Sequence, residues 1–303
     1  MIATTLSHPR ANRLQVIALA AAAVVFSPAA GFASPVLSSD VAGFSVLGAS
    51  AVTSTGATTL GGDLGVSNNS SLTGITGFFG TLANDGPGTA TGTAYQGDAF
   101  ALLAGNELGS AMDTLALLGP GTVLSLADLG GLTLNPGVYT VPAGTSNLTG
   151  TVTLDGLGDI NARWVFQMPS TLITSAGSLV NVINIGSGAG AALFWNVGSS
   201  ATLDTTTTFA GNILASASIT MNNGVTLGCG RALARTGAVT MIDDTLSTGC
   251  EGTGYESSHG FNGSGEFAVA TDPVPEPGSL ALLGSGLFGG LAWLRRRARG
   301  EVV

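Results

Sequence analysis

The sequence predicts a mainly β chain wound as a solenoid, on three observations. First, a short phrase returns through its second half: threonine, a large aliphatic, then (in most copies) a polar residue. It stands at Thr133-Leu134-Asn135, Thr153-Leu154-Asp155, Thr171-Leu172-Ile173, Thr202-Leu203-Asp204, Thr220-Met221-Asn222 and Thr240-Met241-Ile242. The threonines are 20, 18, 31, 18 and 20 residues apart, and recurrence near that period is the mark of stacked repeats. Second, the intervening text consists of short runs of Val, Ile, Leu, Phe and Thr punctuated by glycine, of which the whole chain has 47, as strands and tight turns require. Third, only one stretch of the body breaks the β pattern for helical spacing.

Side chains alternate across a strand, so each Leu or Met of the phrase points inward and each Thr outward. Stacked coils would bury the aliphatic column and expose the threonines at about 4.8 Å spacing. The outward column is the candidate functional surface: Thr153, Thr171, Thr202, Thr220 and Thr240, with Thr151, Ser200 and Ser218 two positions earlier on the same side.

The chain begins with a secretory signal over residues 1–33. Arg10 and Arg13 supply the positive start, 14–26 the apolar run, and Gly31-Phe32-Ala33 the small-x-small cleavage site. The body spans 34–250. Strand-like runs at 44–47, 51–53, 58–60 and 63–66 are separated by Gly and Asn. Gly61-Gly62-Asp63 does not recur in tandem, so it reads as a turn and not as a calcium-binding array. Tyr95, Ala99, Leu102, Leu108, Met112, Leu115 and Leu118 recur mostly at three or four residues, which predicts an amphipathic helix over about 94–118. Gly97, Gly105 and Gly109 weaken that helix, so it needs a surface to pack on, and Gly119-Pro120-Gly121 ends it. The long interval between Thr171 and Thr202 holds Ala191-Ala192-Leu193-Phe194-Trp195, an extra run that extends the sheet. Cys229 and Cys250 are the two cysteines of an exported chain and are expected to form a disulfide.

Residues 251–273 form a polar, Gly-rich linker in which His259 stands alone. Val274-Pro275-Glu276-Pro277, an apolar stretch ending at Leu294 and the cluster Arg295-Arg296-Arg297-Ala298-Arg299 follow. A Pro motif, a short apolar helix and a basic stop make a retention and processing signal over 274–299, with 279–294 as a transient membrane anchor.

Charge narrows the function. The net charge is −9, and lysine is absent. Six of the nine arginines lie in the terminal signals, leaving Arg163, Arg231 and Arg235 in the body. Such a surface cannot neutralise phosphates, which excludes nucleic acid as a partner. A polysaccharide lyase or hydrolase would need convergent carboxylates beside Arg or Lys. The acidic pairs near the repeats, Asp243-Asp244 and Asp155 with Asp159, read as turn residues. The sequence carries no nucleophile-base set, phosphate loop or metal cluster, so it predicts a non-enzyme without a cofactor.

The tail resembles the PEP-CTERM sorting signal of Gram-negative bacteria, through Val274, Pro275, Glu276 and Pro277, the apolar helix and the Arg cluster in that order. That resemblance implies processing by an exosortase and delivery to the cell surface or exopolysaccharide matrix. The body is similar to the DUF3494 ice-binding family. The matching stretches are 44–48, 62–67, 129–139, 164–167, Phe194-Trp195-Asn196-Val197-Gly198-Ser199 and Gly230-Arg231-Ala232-Leu233-Ala234-Arg235. The resemblance implies an irregular, discontinuous right-handed β-solenoid of triangular section with one long α-helix along its side, and ice as the partner. Active relatives often carry Thr-Ala/Gly-x-Thr/Asn on the binding face. Here Ser199-Ser200-Ala201-Thr202, Ala217-Ser218-Ile219-Thr220 and Gly237-Ala238-Val239-Thr240 lack the first threonine, and Asp155 and Asp204 bring charge nearby. The expected activity is therefore antifreeze or recrystallisation inhibition of weak to moderate strength. The alternative is a structural adhesin of the biofilm matrix that contacts exopolysaccharide.

Overall fold

The computed structural model describes residues 36–249 apart from 82, 145–146 and 187–189. The signal segment, Cys250, the linker and the sorting segment lie outside the described residues. The body is a three-sided stack of parallel strands with a core running up its centre. Most coils contribute one strand to each of three sheets, here A, B and C, before the next coil begins.

Sheet A has nine strands, in the order Ala94–Gln96, Asp63–Val66, Phe44–Gly48, Ala232–Ala234, Asn212–Ala215, Ala192–Val197, Arg163–Met168, Gly137–Thr140 and Thr122–Val123. The order shows how the chain runs. The coils of 44–96 are stacked on the last coil of the repeats, because Val46 and Leu47 pair with Ala232 and Leu233. The chain is thus discontinuous along the stack: it starts in the interior, builds one end, crosses to the other and winds back.

The crossing is made by the helix Ala99–Ala116, about 27 Å long. Its Asp98 cap accepts a hydrogen bond from Ala101 N at 2.8 Å. The helix starts later than the spacing predicts. Ala94-Tyr95-Gln96 form the edge strand of sheet A beside Leu64-Gly65-Val66, and Gly97, with φ +63°, turns the chain into the cap. A run of four residues can satisfy a helical stripe and a strand equally well, and here the open edge of sheet A took it. The helix buries Ala101, Ala104, Leu108, Ala111, Met112 and Leu115 against the outer side of sheet A. There Gln167 and Asn196 donate to the carbonyls of Leu115 and Met112. Gly105 and Gly109 permit that approach, since a Cβ at 105 would lie 2.8 Å from Ser67 Cβ.

Sheet B has six strands, Leu172–Ile173, Ala201–Leu203, Ile219–Met221, Val239–Ile242, Val52–Thr55 and Ile75–Thr76. Sheet C has eight, Thr89–Ala90, Thr59–Gly61, Thr245–Ser247, Thr226–Gly228, Thr208–Ala210, Leu179–Ile183, Thr151–Asp155 and Thr133–Leu134. The core joins the inner faces of all three. Trp195 stacks on Phe166 with centroids 4.2 Å apart and meets Phe209 of sheet C at 4.8 Å. Its indole N–H donates to Ala210 O at 2.9 Å, so the ring is buried without an orphaned donor. The extra run in the 31-residue interval supplies strand Ala192–Val197 and this tryptophan.

The corner between sheets B and C repeats from coil to coil. Gly177, Thr206, Gly224 and Asp243 turn it in the left-handed region, with φ of +68°, +55°, +78° and +53°. Beneath it, hydroxyls take the place of apolar side chains. Thr174 and Thr207 share a hydrogen bond at 2.9 Å, and Ser54 donates to Thr58 at 2.7 Å. A corner built alike in these coils holds the two sheets in a constant relation over that part of the stack.

Candidate functional site

The long helix covers sheet A, which leaves sheets B and C open. On sheet B, Thr202 pairs with Thr220, Thr220 with Thr240, Thr240 with Thr53, and Thr53 with Thr76. These five threonines form one in-register ladder across five adjacent strands, about 19 Å from end to end at 4.8 Å per rung. Each alternates with fully buried neighbours: Ala201, Ile219, Val239, Val52 and Ile75 face the core. The ladder threonines are half-buried, their flanks covered by the adjacent rungs. A β-branched side chain so placed has little rotational freedom left. Thr53 donates to the Thr240 hydroxyl at 3.4 Å; among the described residues, the hydroxyls of Thr202, Thr220 and Thr76 have no protein partner.

Two positions earlier runs a parallel row of small residues, Ser200, Ser218, Ala238 and Ala51, and Ser200 Oγ accepts from Ser218 N at 3.3 Å. Ladder and row together make a strip of small side chains, bordered two positions later by Asp204, Asn222, Ile242 and Thr55.

The structure divides the expected single column. Thr202, Thr220 and Thr240, with Ser200 and Ser218, lie on sheet B. Thr151 and Thr153 lie on sheet C, where Thr153 pairs with Thr133 and Asn181. Thr171 immediately precedes Leu172–Ile173, so it is level with Ser200, and Ile173 occupies the ladder position beside Thr202. The similar spacings of 20 and 18 residues conceal a change of sheet. From Thr153 to Thr171 the chain passes from sheet C through sheet A to sheet B, less than a full coil. In turn, Thr53 and Thr76 join the ladder from coils that are remote in sequence.

The acids flagged beside the candidate surface are bent back into turns. Asp204 accepts from Thr205 N at 2.8 Å and from Asn222 Nδ2 at 3.1 Å, which holds its carboxyl below the usual range. Asp155 likewise accepts from Leu157 N and Asn184 Nδ2 and is lowered by them. Asp159 accepts from Asn161 N and Asp243 from Ala57 N. Asp155, Asp159 and Asp204 commit their charge to local turns and Asp243 to the neighbouring coil, and none of the four converges on another to form an acid-base pair. Asp244 differs: it is buried under the B–C corner, accepts from Val225 N and Ile242 N, and burial pushes its carboxyl up to about 7. Cys229 is buried and is not a free thiol; since Cys250 lies outside the described residues, its pairing with Cys229 stays a proposal.

The pattern that defines the ice-binding-like family matches residues 46–247, and that of the PEP-CTERM protein-sorting motif matches 273–297. The chain is 44% identical over 257 residues to an ice-binding protein of Nostoc sp. (strain HG1), covering 84% of this chain and 85% of that one. Two solved structures are similar. One is the ice-binding protein from the Antarctic ascomycete Antarctomyces psychrotrophicus, with a TM-score of 0.61, 34% identity, and coverage of 70% of this chain and 96% of that one. The other is an ice-binding protein from an Antarctic biological consortium, with a TM-score of 0.61, 40% identity, and coverage of 71% and 91%.

Proposed function

The chain belongs to the ice-binding-like family, and from that premise we propose that it is an exported protein that binds ice through sheet B. The observation that carries this reading is the in-register ladder Thr202–Thr220–Thr240–Thr53–Thr76 beside the row Ser200–Ser218–Ala238–Ala51.

Ice offers no charge and no pocket, only a regular array of water. A protein face engages it by holding water in a matching array while dehydrating its own methyls. Threonine carries both groups on one restricted side chain. Each hydroxyl can hold one water as a bridge to the lattice, at little further cost because the rung is already fixed. The contacts are weak singly and add because the backbone ladder keeps them in step. The serines and alanines of the second row keep large side chains out of the plane. Alanine stands where a hydroxyl would add a further anchor, and this supports a weak to moderate activity.

The PEP-CTERM motif supports a second reading, in which an exosortase processes the tail and the body serves as an adhesin in the exopolysaccharide matrix, with 279–294 as a transient anchor. One experiment separates the two. Protein recovered from cells expressing the full chain is assayed for ice recrystallisation inhibition and for binding to the host polysaccharide, alongside Thr202→Tyr and Thr220→Tyr. Inhibition in the wild type that falls several-fold in both variants supports ice binding. Polysaccharide binding with no inhibition leaves the adhesin.

A further inference from the structure

Sheet C carries a ladder of its own, which the repeating phrase did not single out. Thr208 pairs with Thr226, Thr226 with Thr245, Thr245 with Thr59, and Thr59 with Thr89. All five are exposed. We propose that this ladder is a second ice-binding face, so that the protein presents two threonine planes meeting along the B–C corner; the proposal rests on the ice-binding reading of sheet B.

Three observations carry it. The two ladders occupy the same five coils: 202 with 208, 220 with 226, 240 with 245, 53 with 59 and 76 with 89. Each coil thus places one threonine on either side of the corner, whose left-handed residue repeats in four of them (Thr206, Gly224, Asp243 and Gly56), while a longer connection joins Thr76 to Thr89. Second, the hydroxyls of the sheet C ladder are uncommitted: among the described residues none of the five has a protein partner. Elsewhere threonine hydroxyls are spent on carbonyls, that of exposed Thr236 on Ser216 O and those of half-buried Thr140 and Thr248 on Pro120 O and Gly61 O, although Thr122, Thr133 and Thr151 are also exposed and uncommitted. Third, the row two positions beyond the ladder is small on four rungs, Ala210, Gly228, Ser247 and Gly61, with Thr91 on the fifth. Glycine in a strand weakens it, and packing does not require one at 228, where an added Cβ would come no closer than 3.9 Å to Phe209 O. Its effect is to let the threonine methyls and hydroxyls stand highest. Inside, Phe209, Leu227, Leu246 and Leu60 anchor every rung but the last in the core. The ladder ends at Leu179, which takes the next position beside Thr208.

Two planes fixed at a corner would let one molecule adsorb to differently oriented ice surfaces. The test uses fluorescently labelled protein, recovered from cells expressing the full chain, on a single-crystal ice hemisphere, with thermal hysteresis measured in parallel. Thr220→Tyr blocks sheet B, Thr226→Tyr and Thr208→Tyr each block sheet C, and Thr114→Tyr on the helix is the control. Melting curves verify the fold of each. The expected result is a partial, several-fold loss of hysteresis from blocking either sheet, loss to baseline in Thr220→Tyr/Thr226→Tyr, and a different set of labelled planes for each single block. If both sheet C variants keep wild-type hysteresis and labelling while Thr220→Tyr removes them, the second face is overturned and sheet B stands. If either sheet C variant alone removes all activity and Thr220→Tyr none, the pairing of two faces is overturned. A wild type without any ice activity overturns the underlying reading itself.

Discussion

Thr53 donates its hydroxyl to that of Thr240 at 3.4 Å, although 187 residues of chain separate the two. The contact exists because the coils at the start of the body dock on the last coil of the repeats. Two of the five rungs of the sheet B ladder come from that docking, so the candidate surface is whole only when the two ends of the body are joined.

The joint depends on Arg231. It is buried, its Nε donates to Ala42 O at 2.8 Å and its Nη1 donates to Asn212 Oδ1 at 2.9 Å. Burial lowers its guanidinium to about 10, so it remains charged at neutral pH. Arg231→Met would leave the Ala42 carbonyl and the Asn212 amide without their donor. The expected cost is about 2–4 kcal/mol of stability, read as a lower urea midpoint. A loss below about 1 kcal/mol would contradict the role given to this clasp.

Gly105 tests the seating of the long helix. Alanine would gain about 1 kcal/mol in helix propensity, but its Cβ would lie 2.8 Å from Ser67 Cβ. Overpacking of that kind costs typically 1–3 kcal/mol. Gly105→Ala is therefore expected to lower the melting temperature. A rise would mean that the helix can lift from sheet A without loss.

Asp244 gives the body a pH dependence of its own. Burial raises its folded pKa to about 7, and the neighbouring charge of Asp243 adds to the rise. In the unfolded chain a carboxylate titrates near 3.9. Between those values the folded state holds a proton that the unfolded state has released, so stability declines as pH rises from about 4 to about 7. Asp155 and Asp204 act in the opposite sense, with lowered carboxyls whose contribution is lost only in acid. Both histidines, His8 and His259, lie outside the described residues. The melting temperature should therefore be higher at pH 5 than at pH 8, and Asp244→Asn should flatten the difference. An equal slope in the variant would assign it to another group.

Much of this was legible in the residues. Alternation within Thr202-Leu203 and Thr220-Met221 showed which side chain faces the core, and the spacing gave the solenoid and its long helix. Sheet membership was not legible, because a three-sided coil lets the same phrase serve two faces. Thr153 and Thr202 read alike and stand on different sheets. The signal that was passed over is the variant ending in a small residue, Thr59-Leu60-Gly61, Thr226-Leu227-Gly228 and Thr245-Leu246-Ser247, which marks sheet C. Thr53 and Thr76 could not be placed by spacing at all, since their partners are fixed by the docking of distant coils.

Thermal hysteresis of wild type against Thr220→Tyr tests the central claim most directly. Thr220 is the second rung of the ladder and is half-exposed, so a tyrosine there should change stability by no more than about 0.5 kcal/mol while standing proud of both rows. The account predicts measurable hysteresis in the wild type and a several-fold fall in the variant with an unchanged melting curve. Hysteresis undiminished by the tyrosine would contradict it.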